Sequence, residues 1–334
     1  MHHVRFGSTG LRVSRLCLGT MTFGVQCNEE ESTEILDRAF DLGITFLDTA
    51  DAYPLGGDAA VLGMTEEILG RWLRGRRHAG VVATKANAPR SRRPWDRGNS
   101  RKHLVEACEA SRRRLGTDWI DLDQLHGPDP STPMEETLRA LDDLVTAGKV
   151  RYVGVSNWPA WMLARSLGVS ELHDWSSFVS VQPRYNLLYR QIEHELLPLC
   201  ESEGLAVIPY NPLAGGLLSG KHSHADGPGE NTRFAITGAG ERYQERYWQL
   251  AEFAAIDALR PVAEEAGMSL VTLAVAWMLA QPAVTAPIIG VSRPEHLDDN
   301  VAALDARLGE GMLAHLDELT HDFRLTEPVV WGKT

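Results

Sequence analysis

Strand-like apolar runs alternate with stretches of helical spacing along the whole of this 334-residue chain, and several of the runs end on an ionisable side chain. Strand and helix units repeated in this way have one economical arrangement, a parallel (β/α)8 TIM barrel. Parallel strands need helical crossovers, and closing the sheet leaves no edge. Three strand ends carry chemistry. Ile44–Asp48 ends on a carboxylate with Tyr53 five residues further, Val81–Lys85 ends on an ammonium, and Ile120–His126 ends on an imidazole. Since a barrel gathers the carboxyl ends of its strands on one face, Asp48, Tyr53, Lys85 and His126 form a candidate catalytic set there.

The elements follow in order. His3–Phe6 and Leu11–Ser14 flank Gly7–Gly10 and predict a β-hairpin over residues 1–14 that caps the amino-terminal end of the barrel. Arg15–Thr20 is strand one. A helix over Glu29–Leu42, with Ile35, Leu36, Ala39 and Phe40 at helical spacing, stops at Gly43 before strand two. After Tyr53 come a loop, Pro54–Gly63, and a helix from Thr65 to Leu73. Strand three ends at Lys85, and a polar loop, Pro89–Asn99, leads to Ser100, an N-cap for a helix with Leu104, Ala107, Cys108, Ser111 and Leu115 on one stripe. Beyond His126, Thr132 and Glu135 have capping-box spacing with Pro133 at the first helical position, and Leu138, Leu141, Leu144 and Val145 form the buried face.

Tyr152–Asn157 is strand five and is followed by a helix from Pro159. Val179–Gln182 is strand six, Glu193–Glu203 a helix, and Ala206–Tyr210 strand seven. A long Gly-rich loop, Asn211–Arg242, precedes helices predicted at Tyr243–Glu265 and Leu270–Gln281. Strand eight is Ala286–Gly290. Ser292 is expected to start a helix over Pro294–Leu304, and a last helix gives way to a loose tail from Asp322. The chain is thus expected to be one TIM-barrel domain, with the hairpin at 1–14, the barrel and its peripheral helices at 15–304, and an extra helix and tail at 305–334.

The net charge of −12 repels nucleic acid and anionic membrane unless basic residues cluster. They do so between Arg71 and Lys102, but without the interleaved aromatics of a base-stacking platform. Cys17, Cys27, Cys108 and Cys200 are scattered, with no CxxC spacing for zinc or redox work, and read as reduced thiols. The start lacks the apolar core of a signal peptide, and no apolar run reaches the roughly 18 residues of a membrane span. A cytoplasmic enzyme acting on a small molecule is expected; the oligomeric state is left open.

Singly, each candidate has a plain structural reading: Asp48 as a strand-end cap, Tyr53 as a surface tyrosine, Lys85 as a solvated cation, His126 as a satisfied histidine. Their joint position at converging strand ends favours the functional one. The chain also resembles the aldo-keto reductase family from Val4 to about Leu304. The resemblance rests on Gly19-Thr20-Met21, Leu47-Asp48-Thr49-Ala50-Asp51-Ala52-Tyr53, Ala83-Thr84-Lys85 and Leu125-His126. It continues through Gly148–Asn157, Val181–Asn186, Tyr210–Leu213 and Ile289–Ser292.

What the resemblance implies is reduction of an aldehyde or ketone by hydride from NADPH, with Asp48, Tyr53, Lys85 and His126 as the tetrad and Tyr53 as general acid. It implies Thr20, Ser156, Asn157 and Gln182 around the nicotinamide and Tyr210 stacked on its ring. Pro212, Leu213, Gly215 and Lys221 are implied at the pyrophosphate, and Gly290, Ser292, Arg293, Asp299 and Asn300 at the adenosine half. Arg293, with Arg233 as a second contact, is expected to meet the 2′-phosphate of NADP; the alternative is NAD, with Asp298 and Asp299, one turn on, hydrogen-bonding an unphosphorylated ribose or the adenine amine. His296 stands where the family pattern often has glutamine. No GxGxxG follows a strand, which speaks against a Rossmann unit. An alternative within the fold is a redox-sensing channel subunit without catalysis; that group carries asparagine at the histidine position, so His126 favours an enzyme.

Overall fold

The computed structural model describes residues 1–230 and 232–325. Eight parallel strands form the barrel: β3 (Cys17–Gly19), β4 (Phe46–Asp48), β5 (Val81–Ala86), β6 (Ile120–Leu125), β7 (Val150–Ser156), β8 (Phe178–Gln182), β9 (Ala206–Val207) and β10 (Ile288–Gly290). β10 pairs with β3, and the ring closes where Thr285 N donates to Val207 O (2.8 Å) and Ile288 N to Pro209 O (2.8 Å). Register aligns Gly290, Gly19, Asp48 and Ala83 across neighbouring strands, so the chemistry at the end of β4 stands level with the turn after β10.

The hairpin β1 (His3–Arg5) and β2 (Arg12–Ser14) plugs the amino-terminal end as its sequence predicts. Phe6 and Val13 join Cys17, Phe46, Ala83, Leu122, Ala206 and Ile288 in the inner core, and Phe6 meets Phe46 edge to face at 5.7 Å. Outside lie α1 (Glu29–Asp41), α2 (Met64–Trp72), α3 (Arg101–Leu115), α4 (Met134–Thr146), α5 (Ala160–His173), α6 (Leu196–Glu203), α7 (Gly240–Tyr247), α8 (Leu250–Glu265), α9 (Leu270–Leu279), α10 (His296–Ala302) and α11 (Glu310–Leu319). Ser100 caps α3 by accepting from His103 N, and Gly116 ends it in the left-handed conformation that glycine adopts without strain.

Several local expectations fail for identifiable reasons. Thr132 does not cap α4: its hydroxyl donates to Asp129 (2.6 Å), and Pro133 takes the N-cap position with no side-chain bond. Ser292 does not start α10, which begins at His296 after an uncapped turn. The single helix expected from Tyr243 to Glu265 is two helices, because Trp248 leaves helical geometry and packs against Phe234 (4.8 Å) and Phe253 (5.1 Å). The loop before it is also less irregular than its composition suggests, with 3-10 turns at Ala214–Ser219 and Arg233–Ala235 and helix α7.

The tail is fixed as far as Leu325, because Arg324 pairs with Glu193 (2.6 Å) and Asp317 while Arg190 N donates to Phe323 O (2.9 Å). The remainder of the expected tail, 326–334, lies outside the described residues. Within the basic stretch, the ion pairs Arg71–Glu29, Arg76–Asp37, Arg101–Asp143 and Lys102–Glu106 lie on the surface, and Arg77–Asp121 is mostly buried. All four cysteines are free and buried. Among the described residues no single helix is long and apolar enough to cross a membrane, and no cluster of His, Cys, Asp and Glu is arranged to hold a metal ion.

Candidate active site

Period-two alternation sends Asp48, Lys85 and Gln124 to the inside of the barrel, and Tyr53 reaches the same place from the loop after β4. Lys85 is fully buried. Its Nζ donates to Asp48 Oδ2 (2.6 Å), the Thr49 main-chain oxygen (2.9 Å) and the Tyr53 hydroxyl (3.3 Å), which uses all three ammonium protons. Asp48 Oδ1 accepts from Gln182 Nε2 (2.8 Å) and Gln124 Nε2 (3.3 Å). The carboxylate is therefore held on both oxygens. Gln124 is absent from the sequence-derived set, although it lies two residues before His126 on one strand and so on the same face.

Burial pulls the Lys85 pKa down, but Asp48 and Tyr53 together raise it above the usual lysine value, so it stays an ammonium. For Tyr53 the balance differs from the expectation that a nearby cation would make the phenol more acidic. Burial raises its pKa, and the opposing pull of Lys85 does not overcome it. Tyr53 is held as a neutral phenol that receives a hydrogen bond from Lys85. His126 meets the Tyr53 ring edge-on at 5.8 Å. Burial, then Lys85, lowers its pKa to about 3, so the imidazole is neutral.

The residues expected at the nicotinamide surround this set. The Thr20 hydroxyl donates to Asp48 O (2.9 Å), and Ser156 donates to Gln182 O (2.9 Å). Asn157, in left-handed conformation at φ 61°, donates to His126 O (3.1 Å) and Ser156 Oγ (2.9 Å) and accepts from the Tyr210 hydroxyl (2.7 Å). Thr20, Ser156, Asn157, Gln182 and Tyr210 are thus joined to the tetrad by continuous hydrogen bonding.

On one side of this cluster Pro212 and Leu213 enter a turn in which Asn211, Ala214, Gly215 and Gly216 have φ of 60°, 49°, 74° and 106°. The step from Leu213, at φ −102°, to left-handed Ala214 is a turn of the kind whose successive main-chain N–H groups form concavities that hold anions. A Cβ at Gly215 would stand 2.9 Å from the Tyr243 ring, so the turn is closed over by α7 and only glycine fits. Lys221 follows, exposed, and its charge acts on both His222 and His296. At the end of β10, Gly290 faces half-buried Arg233, whose guanidinium lies 4.0 Å from where a Gly290 Cβ would be.

Ser292 approaches His296 Nδ1 at 3.5 Å. Arg293 is 71% exposed, with Glu295 at 3.9 Å. Asn300 donates to His296 O (2.7 Å) while its buried Oδ1 has no partner, and neither does the buried Nδ2 of Asn211. Asp299 is exposed, and Asp298 is turned to Arg38 at 2.8 Å. The left-handed turn, the glycine cradle, the facing arginine and these orphaned amide atoms fit an elongated, polyanionic nucleotide.

A second group missed by sequence reading lies behind the site. Asp51, Glu66 and Asp123 are buried together, with Glu66 bound to Arg114 (2.6 Å) and to Thr84. Burial first, then Glu66, raises the Asp51 pKa to about 7, while Arg90, Arg114 and Lys85 oppose. Burial with Asp51 and Glu66 raises Asp123 to about 8.

The family model for the aldo/keto reductase family matches residues 15–321. The chain is 38% identical over 327 residues, 96% of each chain, to an uncharacterised oxidoreductase, YrpG, of Bacillus subtilis. It is 36% identical over 314 residues, 91% of this chain and 92% of the other, to a probable voltage-gated potassium channel subunit beta of Oryza sativa. To the versiconal hemiacetal acetate reductase of Aspergillus parasiticus it is 33% identical over 354 residues, 95% and 96% of the two chains. With the family model spanning residues 15–321, and so every strand of the barrel, and a relative 38% identical over 96% of the chain, the chain belongs to the aldo/keto reductase family.

Proposed function

We propose that this protein is an NADPH-dependent carbonyl reductase whose general acid is Tyr53. One observation carries the reading: Lys85 Nζ bridges the Asp48 carboxylate and the Tyr53 hydroxyl, leaving the phenolic proton free to be given away. When bound, NADPH supplies the hydride. Tyr53 donates its proton to the carbonyl oxygen as negative charge builds there, since an alkoxide is far more basic than a phenolate. Lys85 then stabilises the phenolate, and Asp48, fixed by Gln182 and Gln124, holds Lys85 in line. Neutral His126 orients the carbonyl oxygen by hydrogen bonding.

Thr20, Ser156, Asn157, Gln182 and Tyr210 hold the nicotinamide end. Pro212, Leu213, Gly215 and Lys221 meet the pyrophosphate, and Gly290, Ser292, Asp299 and Asn300 the adenosine. Arg293 and Arg233 select NADP over NAD through its 2′-phosphate, because a guanidinium fork matches phosphate oxygens. Similarity to the Bacillus oxidoreductase and the Aspergillus reductase supports the reductase reading. The channel-subunit relative supports a second reading, a nucleotide-binding regulatory subunit, against which His126 weighs. Mixing the protein with NADPH and a panel of aliphatic, aromatic and sugar aldehydes separates the two. Aldehyde-dependent, multiple-turnover loss of near-ultraviolet absorbance is expected; binding of NADPH without turnover would favour the regulatory subunit.

A further inference from the structure

The segment that carries Tyr53 is held from outside by an arginine belonging to a different loop. Arg90 lies five residues beyond Lys85, in the loop after β5. Its guanidinium donates to the main-chain oxygen of Asp51 and to that of Leu62 (3.2 Å), and its Nε lies 3.9 Å from the Asp51 carboxylate. Asp51 and Leu62 bracket the acid. Tyr53 N donates to Ala50 O (3.2 Å), and Tyr53 O accepts from Gly63 N (2.8 Å). Asp51 N in turn donates to Lys85 O (3.0 Å). One guanidinium thereby closes a loop of contacts that runs from Lys85 through Asp51, Tyr53 and Leu62 back to the segment that follows Lys85.

The Asp51 carboxylate fits this role. It is buried, and neither oxygen has a hydrogen-bond partner. Glu66 is held by Arg114 close by, and of the cations around Asp51 it is Arg90 that acts on it most strongly. Arg90 is anchored at its own end by donating from its amide to Asp96 O (2.9 Å). Two carbonyls some distance apart in sequence suit a planar fork, and a single ammonium does not replace it.

We propose that Arg90 is a positioning residue for the general acid: by clamping Asp51 and Leu62 it fixes the Tyr53 hydroxyl against Lys85 Nζ. The inference rests on the carbonyl-reductase reading and extends it to a residue outside the proposed tetrad and nucleotide contacts. A displacement of the acid by about 1 Å is enough to cost on the order of 100-fold in rate.

The test uses the full-length protein and its variants Arg90→Met and Arg90→Lys, with two readouts. In NADPH-dependent reduction of the best aldehyde of the panel, Arg90→Met should lower kcat about 10 to 100-fold, with the Kd for NADPH changed less than about twofold. Arg90→Lys, which keeps the charge and one contact, should fall between. In hydrogen exchange, amides of residues 51–63 should exchange at least about tenfold faster in Arg90→Met while those of β6 and β7 keep their rates.

Unchanged exchange in both variants overturns the clamp. Faster exchange with intact kcat overturns the positioning role and leaves Arg90 a loop tether. Loss of kcat with equally faster exchange across all strands marks general destabilisation, and Arg90→Lys then decides: if it is well folded with wild-type kcat, the proposal is wrong. A wild type that reduces no aldehyde overturns the reductase reading itself and the catalytic assignment with it, an outcome distinct from an active wild type matched by Arg90→Met.

Discussion

The Tyr53 hydroxyl accepts a hydrogen bond from Lys85 Nζ at 3.3 Å, so its own proton is not spent on the lysine. Replacing Tyr53 by phenylalanine removes the proton and keeps the ring against His126. Turnover should fall by about 10² to 10⁴-fold, the usual cost of a lost acid–base group, with the Kd for NADPH nearly unchanged. Steady-state reduction alongside fluorescence titration of NADPH checks both halves; retention of more than about a tenth of the rate would remove Tyr53 from the acid role.

Asp48 and Lys85 form a buried pair with little solvent to compensate either charge. Asp48→Asn still accepts from Gln182 or Gln124 through its amide oxygen but leaves Lys85 an unbalanced ammonium, whereas Asp48→Asn with Lys85→Met leaves neither ion. Denaturant unfolding should show the double variant recovering part of the stability lost in Asp48→Asn, while activity stays absent. Additive losses would mean that the two charges are not coupled.

Asp51 titrates at about 7 in the folded chain against an ordinary 3.8, with burial the main cause. A carboxyl raised in this way favours the fold fully below its ordinary pKa and loses that contribution as pH rises toward its folded value. Wild-type stability should therefore carry a component that declines from about pH 4 to about pH 7, and Asp51→Asn should lack it. Thermal unfolding should give nearly equal Tm values for the two near pH 4 and a variant Tm higher by about 2 °C or more at pH 8. A difference that does not grow with pH would mean that Asp51 is not the titrating group.

The Arg233 guanidinium faces Gly290, and Arg293 follows Ser292 in the chain with its side chain exposed. A charge-assisted bond contributes about 1.5 to 3 kcal/mol, or roughly 10 to 100-fold in binding. Arg293→Ala should raise the Kd for NADPH by that factor with little change for NADH, and Arg233→Ala should act in the same sense. Equal losses for both nucleotides would show contact with the shared part of the molecule in place of the 2′-phosphate.

The strand ends were readable because each ends an apolar run whose alternation fixes which side chains face inward; the same logic extends to Gln124, two residues before His126. Arg90 and Glu66 were not readable. Their partners are set by loop paths and helix crossings, Leu62 to Arg90 and Glu66 to Arg114, that no local pattern encodes. The cap expected at Thr132 failed because its hydroxyl is turned to Asp129, to which it donates beside Ser131 N and Asn99 N, and accepts from no amide of α4. The break at Trp248 lies inside good helical periodicity and comes from tertiary aromatic packing. The nucleotide face was legible only through resemblance, since glycines and a lone arginine have no meaning until the fold places Arg233 opposite Gly290.

The three committed protons of Lys85 also set a limit on the chemistry of this barrel. A lysine at a strand end becomes a nucleophile only when it can surrender a proton and turn a lone pair toward a carbonyl carbon, the opening step of Schiff-base aldolases and decarboxylases. Here Asp48, Thr49 and Tyr53 occupy every direction in which the ammonium could turn, and its basicity is raised, so no lone pair is on offer. An aldehyde entering this mouth meets an amine that cannot condense with it, and its carbon skeleton should leave intact.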